Sequence, residues 1–566
     1  MTDSRNMILA LVLSAAVLFG WSALSDKFFP QSAHKPAAEQ GQQAGAPQTG
    51  APGMVAAPAV RDRAVVLAQG RRLPLRSSSL SGSINLTGAR IDDLVLLKHR
   101  ETIDKASPPV RLLSPAGTQD AYFMQAGWSG EGVKLPDGNT QWAASAPALE
   151  PDKPVTLSWD NGAGQTFEIV LALDNDYMLT VTQRVVNRGA GVVAVRPWTL
   201  ASRDGVSKDK DSWTIHTGPI GVFDGKANYS VNFTDLGKQG AAGTRFNTTG
   251  GWIGFTDKYW LTAMIPGQNT AVDSGFRGVN NRYQADMALP VTVVPPGKAV
   301  AATSHMFAGA KEVQVLERYQ DQLGIVHFDK AIDWGWFYWF EKPIFALLHW
   351  LFKMVGNFGV AIILLTIIVR GLMFPIAQKQ FASMASMRAL QPKMKALQDK
   401  YKEDKPRLQQ EMLKLYQEEK VNPLAGCLPI VLQIPIFYAL YKVLMLTIEM
   451  RHQPFALWIH DLSAPDHLTP VNLFGLLPFT PPSFVAIGVL PILLGITMWL
   501  QQKLNPQPTD EIQKQVFAIM PWMFMFIMAP FAAGLQLYWV VSNTLTILQQ
   551  KWLYSRHPAM KEAAAK

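Results

Sequence analysis

The sequence predicts a multi-domain membrane protein: six transmembrane α-helices, a large β-sandwich domain outside the membrane, and a cytoplasmic helical hairpin. Three observations carry this reading. Apolar runs close to the ~20 residues that a bilayer-crossing helix requires stand near the N-terminus and recur through the last third of the chain. Between them lies a long stretch of short segments that alternate apolar and polar residues. The Lys and Arg behind the net charge of +9 collect between the apolar runs, so the charge fits a membrane surface better than a nucleic acid. At 566 residues the chain is too long for one domain. Its one cysteine, Cys427, excludes a disulfide framework and a cysteine-built zinc site.

The first element is an N-terminal transmembrane anchor, 1–27. Apolar residues run from Met7 to Leu24 behind Arg5 and no A-x-A-like site closes them, so we read an uncleaved anchor; a cleaved signal peptide is the competing reading. The flexible linker, 28–60, is rich in Ala, Gln, Gly and Pro and cannot bury a core. The β-sandwich with a C-terminal helix spans 61–330. Its clearest strands are Thr166–Leu173, Tyr177–Val186, Val192–Leu200, Trp252–Phe255, Trp260–Ile265 and Val291–Val294, the first two forming a hairpin through Asp174–Asp176. The layout resembles the β-supersandwich of sugar mutarotases, but fold does not imply function. His216, His305 and His327 are isolated and lack ligand spacing, so we read a binding or docking module.

Residues 331–354 carry Trp334, Trp336, Tyr338 and Trp339, which favour the headgroup layer, with Lys342, His349 and Lys353 breaking the apolar run. An interfacial amphipathic helix fits this pattern, and so does a buried helix of the sandwich. The second span, 355–377, contains Arg370, about 4 Å beyond the midpoint of the apolar run Phe358–Ala377 at ~1.5 Å per residue. An arginine near the middle of a spanning helix costs about 2.5–3.5 kcal/mol on insertion scales, so it faces a wet cavity or a partner.

The cytoplasmic hairpin, 378–425, holds ten Lys and Arg, and its apolar residues Met384, Met387, Leu390 and Met394 recur at steps of three and four. Breakers at Glu403–Pro406 divide it and Pro392 predicts an irregularity; a docking surface and a plain solvated pair both fit. Four further spans are 428–448, 483–504, 516–531 and 534–553. The intervening loop 449–482 has Arg451 as its only Lys or Arg, whereas the tail, 554–566, carries Arg556, Lys561 and Lys566. Positive-inside charge then places the hairpin, the 505–515 loop, the tail and both termini in the cytoplasm, and the sandwich outside.

No phosphate-binding loop, dinucleotide fingerprint, zincin helix or nucleophile elbow occurs, so the sequence does not support an enzyme, a cofactor or a metal. The polar residues inside the spans remain. Thr366 lies four residues before Arg370, and Gln433, Ser542, Asn543 and Thr544 sit in other spans. These can line one hydrated cavity, or simply hydrogen-bond between helices. No acidic residue in the five C-terminal spans can neutralise Arg370.

The stretches LTIIVRGLMFP (365–375), NPLAGCLPIVLQIPIFYALY (422–441), FALWIHDLSAPD (455–466) and GLQLYWVVSNTLTILQQ (534–550) resemble the YidC/Oxa/Alb family of membrane protein insertases, and the whole order of parts resembles its Gram-negative members. The resemblance implies a five-helix insertase core plus the anchor in the bacterial inner membrane, with the sandwich periplasmic. It implies a membrane protein insertase and chaperone that inserts, folds and helps assemble integral membrane proteins, alone or with the Sec translocon. The work would be done through a hydrophilic groove open to the cytoplasm and to lipid. Arg370, Thr366, Gln433, Ser542 and Asn543 would line that groove, and Phe437, Met523, Ile527 and Trp539 would form a hydrophobic slide for the client; a closely packed helical core explains the same apolar residues. Trp539 departs from the family, whose members often carry a tyrosine there, which puts a tyrosine-specific contact in doubt. Implied partners are nascent membrane proteins, the Sec translocon complex, membrane lipids, and the ribosome or targeting machinery at the basic hairpin and tail. A transporter or channel with Arg370 as an anion site is the alternative, but no internal repeat supports it. A tethered sugar-modifying enzyme would need an acid/base cluster within 61–310, which the sequence lacks.

Overall fold

Period-two patterning builds the first half of the chain. The computed structural model describes residues 59–556, apart from 210–214, 336, 402–403, 420–427, 475, 478, 480, 483–485 and 506–510. The expected anchor, nearly all of the linker and most of the tail lie outside the described residues. Along Gln165–Leu173 every second side chain is buried, and this strand pairs antiparallel with Met178–Asn187. Asp174 makes the turn, its Oδ1 accepting the amides of Asp176 (2.9 Å) and Met178 (3.1 Å). Among the described residues, strands between Arg72 and Ala310 form a ten-stranded and a nine-stranded antiparallel sheet. Their shared core holds Phe167, Trp252, Phe255, Phe276 and Phe307, all buried. Two short helices, α1 (Arg63–Ala68) and α2 (Phe233–Gln239), are capped by Asp62 and Asn232.

Helix α3 (Val313–Leu323) closes the sandwich, and the chain then turns helical. Helix α4 (Tyr338–Val355) buries Glu341, Ile344, Phe345, Leu348 and Leu351 and exposes Trp339, Trp350 and Met354. Gly356 ends it in the left-handed region (φ 68°), and Asn357 caps α5 (Phe358–Leu372) by accepting the Val360 amide at 3.1 Å. The remaining helices are α6 (Phe374–Lys400), α7 (Lys405–Glu418), α8 (Leu428–Leu446), α9 (Val489–Leu504), α10 (Glu511–Met528) and α11 (Ala533–Arg556).

Three expected boundaries are corrected. The span read as continuous from 355 to 377 breaks at Met373, where α5 and the start of α6 meet at 65°. Pro375 explains the break: it has no N–H for the Gly371 carbonyl, and its ring would clash with that carbonyl in a straight helix. The first hairpin helix therefore begins at Phe374 rather than at 378, and it runs through Pro392 without interruption. The span read from 483 is helical from Val489, with Gly488 before it in extended backbone (ψ 170°); residues 483–485 lie outside the described residues. The count of six spans also meets a difference. Among the described residues no single helix is both long and apolar enough to cross a membrane, and the bent pair α5–α6 is the one that passes by length and composition. Helix α11 has the length but spends it on Gln536, Ser542, Asn543, Thr546 and Gln550, all buried.

The loop after α8 grips the sandwich. Glu449 Oε1 accepts the Val313 amide at the start of α3 (3.0 Å), and Arg451 donates to the Arg100 carbonyl (2.7 Å) while its guanidinium lies over Trp260. Burial pushes Glu449 up to about 7. Glu341 of α4 is fully buried, with no hydrogen-bond partner for either oxygen among the described residues. Desolvation pushes it up to about 8 despite the opposing pull of Lys442. Between its ordinary 4.5 and about 8, only the unfolded chain ionises this group, so its contribution lowers stability as pH rises through that window. Glu341→Gln is therefore expected to melt above the parent at pH 8, with the gain shrinking towards pH 5. A gain of equal size at both pH values in thermal unfolding would contradict the assignment.

Candidate functional site

The polar residues of α5, α8, α9 and α11 converge where these helices pack together: Arg370 reaches Ser542, Gln433 reaches Tyr538, and Asn543 and Gln550 of α11 meet Thr497 of α9 and Asn505 at its end. These helices enclose a cavity of about 460 Å³ with the start of α6 and with α10. Its walls come from the C-terminal part of α5, the first half of α8, the C-terminal end of α9 and the middle of α11, which all lie towards the α6–α7 hairpin. Further along α8, Ala439, Leu440, Val443 and Leu444 are fully buried and do not line it.

Arg370 stands in the last turn of α5, three residues before the break at Met373, and not in the middle of a straight span. Its Nε and Nη2 donate to Ser542 Oγ at 3.0 and 2.5 Å. A guanidinium has five N–H donors, so most of its capacity is left for water or a guest. Among the described residues no carboxylate pairs with it, and it is the one charged residue of the cavity lining. Gln433 Nε2 donates to Tyr538 Oη (2.7 Å), and Asn543 Nδ2 donates to Thr497 Oγ1 (3.3 Å). Gln380, Gln501 and Asn505 extend the polar lining towards the hairpin. An apolar wall faces them: Phe437 meets Trp539 edge-on with centroids 5.2 Å apart, and Phe524 lies 5.1 Å from Trp539.

Of the residues expected at the groove, the structure brings Arg370, Gln433, Phe437, Trp539, Ser542 and Asn543 to this one cavity. Thr366 does not line it. Thr366 is fully buried one turn deeper, and its Oγ1 donates to the Ile362 carbonyl at 2.6 Å. Thr544 points outward and bonds its own helix at Val540. Met523 and Ile527 are exposed and do not line the cavity, whereas Phe517, Met520 and Phe524 of the same helix do, Phe517 while keeping part of its surface free. The spacing of those three, at steps of three and four, was the available signal.

Two further residues escape a reading by motif. Tyr538 is buried and links α11 to Gln433. Lys442 is a second cation within a helix of the core, buried, its Nζ donating to the Asp333 carbonyl at 2.8 Å. A lysine flanked by apolar residues in a predicted span is the signal that would have found it. In the sandwich, a polar cavity of about 320 Å³ holds Arg203 against Asp257 (3.2 Å). Among the described residues no group of three or more His, Cys, Asp or Glu is placed to hold a metal ion.

Comparison with known proteins gives two matching family models. One, described as the YidC periplasmic domain, matches residues 72–347; the other, described as the 60Kd inner membrane protein, matches 350–561. A relative from Zymomonas mobilis named membrane protein insertase YidC is 51% identical over 562 residues, covering 99% of this chain and 96% of its own. A relative of the same name from Methylobacterium nodulans is 43% identical over 587 residues, covering 98% and 95%. Among solved structures, an active YidC insertase with its first transmembrane domain resolved is matched at 17% identity and a TM-score of 0.36, covering 86% of this chain and 95% of that one. A galactose mutarotase related enzyme from Lactobacillus acidophilus is matched over 42% of this chain and 97% of its own at 12% identity and a TM-score of 0.29.

Proposed function

The chain belongs to the YidC family of membrane protein insertases, and we propose that the Arg370 cavity is where it receives the polar end of a client protein. It is an inner membrane protein with a periplasmic domain, and its work is insertion rather than the making or breaking of covalent bonds. The single observation that carries the proposal is the pairing of one uncompensated cation with a polar floor and an aromatic wall. A hydrated pocket part-way into the bilayer shortens the apolar barrier that a polar segment must cross. Arg370 attracts acidic segments, and Ser542 holds its guanidinium in place. The client's apolar helix then leaves along Phe437, Trp539 and Phe524 into lipid.

In this reading the cavity opens to the cytoplasm, where the basic hairpin and tail meet the ribosome, targeting machinery or anionic headgroups. The exposed apolar faces of α9 and α10, with Ile496, Phe526 and Ile527, support lipid contact. The sandwich serves contacts with the Sec translocon.

The test is reconstitution. Vesicles containing only the purified chain should insert a small single-span protein without nucleotide, read as a protease-protected fragment. Protection no greater than in empty vesicles would overturn the proposal. A finer expectation concerns Ser542. Ser542→Ala removes the acceptor of both Arg370 hydrogen bonds and should lower insertion of an acidic client less than Arg370→Ala does, with Ser542→Thr closer to the parent. Insertion by Ser542→Ala equal to the parent would show that Arg370 needs no holding.

A further inference from the structure

We propose that the loop before α9 is a lipid-inserted lip: Val471, Leu473, Phe474, Leu476, Leu477 and Phe479 enter the outer leaflet and complete the span that α9 leaves short. The first observation is length. Helix α9 has 16 residues, about 24 Å at ~1.5 Å per residue, against a hydrocarbon layer of ~30 Å. Its C-terminal end lines the Arg370 cavity, so the missing length falls at the opposite end, where the loop sits.

The second observation is composition. No Asp, Glu, Lys or Arg occurs between Asp466 and Lys503, a run that includes the loop and all of the helix up to its last turn. The third is exposure. All six side chains are exposed, Leu476 with 82% of its surface free and the others about half free. Leu473 and Phe474 are held there by left-handed backbone (φ 49° and 58°), a conformation that large side chains avoid unless their surroundings impose it.

A non-helical segment can enter a membrane only if its backbone polar groups are satisfied. Among the described residues of the loop, several backbone groups are. The amides of Leu473, Phe474, Leu476 and Leu477 donate to carbonyls within the loop, and Pro470, Pro481 and Pro482 have no N–H to satisfy. The loop is also fastened at both ends. Val489 N–H donates to the Leu468 carbonyl, Asp466 Oδ2 accepts the Leu490 amide (2.7 Å), and Ala533 and Gly534 of α11 donate to Ala464 and Leu462. Its described residues therefore present an exposed apolar surface, as does the face of α9 that carries Leu493 and Ile496. Hydrocarbon fits such a surface, since an aqueous neighbour would leave it unpaid.

The experiment uses the unaltered full chain in vesicles of phosphatidylethanolamine and phosphatidylglycerol that contain a phospholipid with a diazirine in its acyl chain. After illumination, mass spectrometry should find lipid adducts on the peptide carrying Leu473–Phe479 as well as on α10. Replacing Phe474 and Leu476 together by Asp should lower loop labelling severalfold and leave α10 labelling unchanged. Adducts on α10 with none on the loop peptide of the unaltered chain would overturn the proposal, whether the loop then lay in water or against a second copy, and would mean that the bilayer thins to meet α9.

Discussion

Replacing Arg370 by alanine is expected to lower insertion of a client with an acidic N-terminal segment by about ten- to a hundredfold. That range follows from ~1.5–3 kcal/mol for hydrogen bonds to a charged group, with tenfold per ~1.4 kcal/mol. Arg370→Lys should retain more activity than Arg370→Ala. Lysine keeps the charge but loses the planar fork that donates to Ser542 through Nε and Nη2 together. The effect should shrink for a client whose leading segment carries no acid, because Arg370 is the one charge in the cavity lining among the described residues. Protease protection of the two clients in vesicles measures both. Equal insertion by parent, lysine and alanine variants would remove the electrostatic role.

The second large effect belongs to the sandwich. Trp252 is almost fully buried, and its ring meets Phe328 edge-on with centroids 5.5 Å apart, joining the nine-stranded sheet to the segment after α3. Trp252→Ala is expected to cost about 3–5 kcal/mol, the range for large aromatic truncations in cores. That corresponds to a fall in melting temperature of roughly 10 °C for a domain of this size. Trp252→Phe should cost much less, since the indole N–H has no hydrogen-bond partner among the described residues and its loss removes a buried donor. Thermal unfolding followed by near-ultraviolet circular dichroism separates the two, and equal losses for Ala and Phe would show that the N–H, not the ring, matters.

Legibility followed the physics of each part. Strands were readable where alternation is strict, as in Gln165–Leu173, because period-two burial is a local property. The hairpin turn at Asp174 was readable for the same reason. The convergence of Arg370, Gln433, Ser542 and Asn543 was suggested by polar residues inside apolar runs, which lipid does not tolerate singly. The break at Met373 was not read, although Pro375 announces it, since an apolar run looks continuous whatever its backbone does. The spacing of Phe517, Met520 and Phe524 groups them on one face of α10, but only packing against Trp539 shows that this face rather than that of Met523 turns inward. Thr366 shows the same limit: it shares the helix face of Arg370 but lies one turn too deep to reach the cavity.

The position of the break also changes the energetic problem that Arg370 poses. In a straight span the charge would stand near mid-membrane. In the bent pair it stands at the last turn of α5, at the rim of a cavity that polar side chains can keep wet. The cost of the charge is thereby reduced, and its field is directed at whatever enters.

The most direct measurement is site-specific photo-crosslinking from Phe437 inside the cavity and from Ile527 on the outer face of α10, during synthesis of a small membrane protein. The account predicts that early, short nascent chains crosslink through their polar leading segment to Phe437, and that longer chains crosslink through their apolar helix. Crosslinks to the outer face alone, with Phe437 silent in a folded protein, would contradict a client route through the Arg370 cavity.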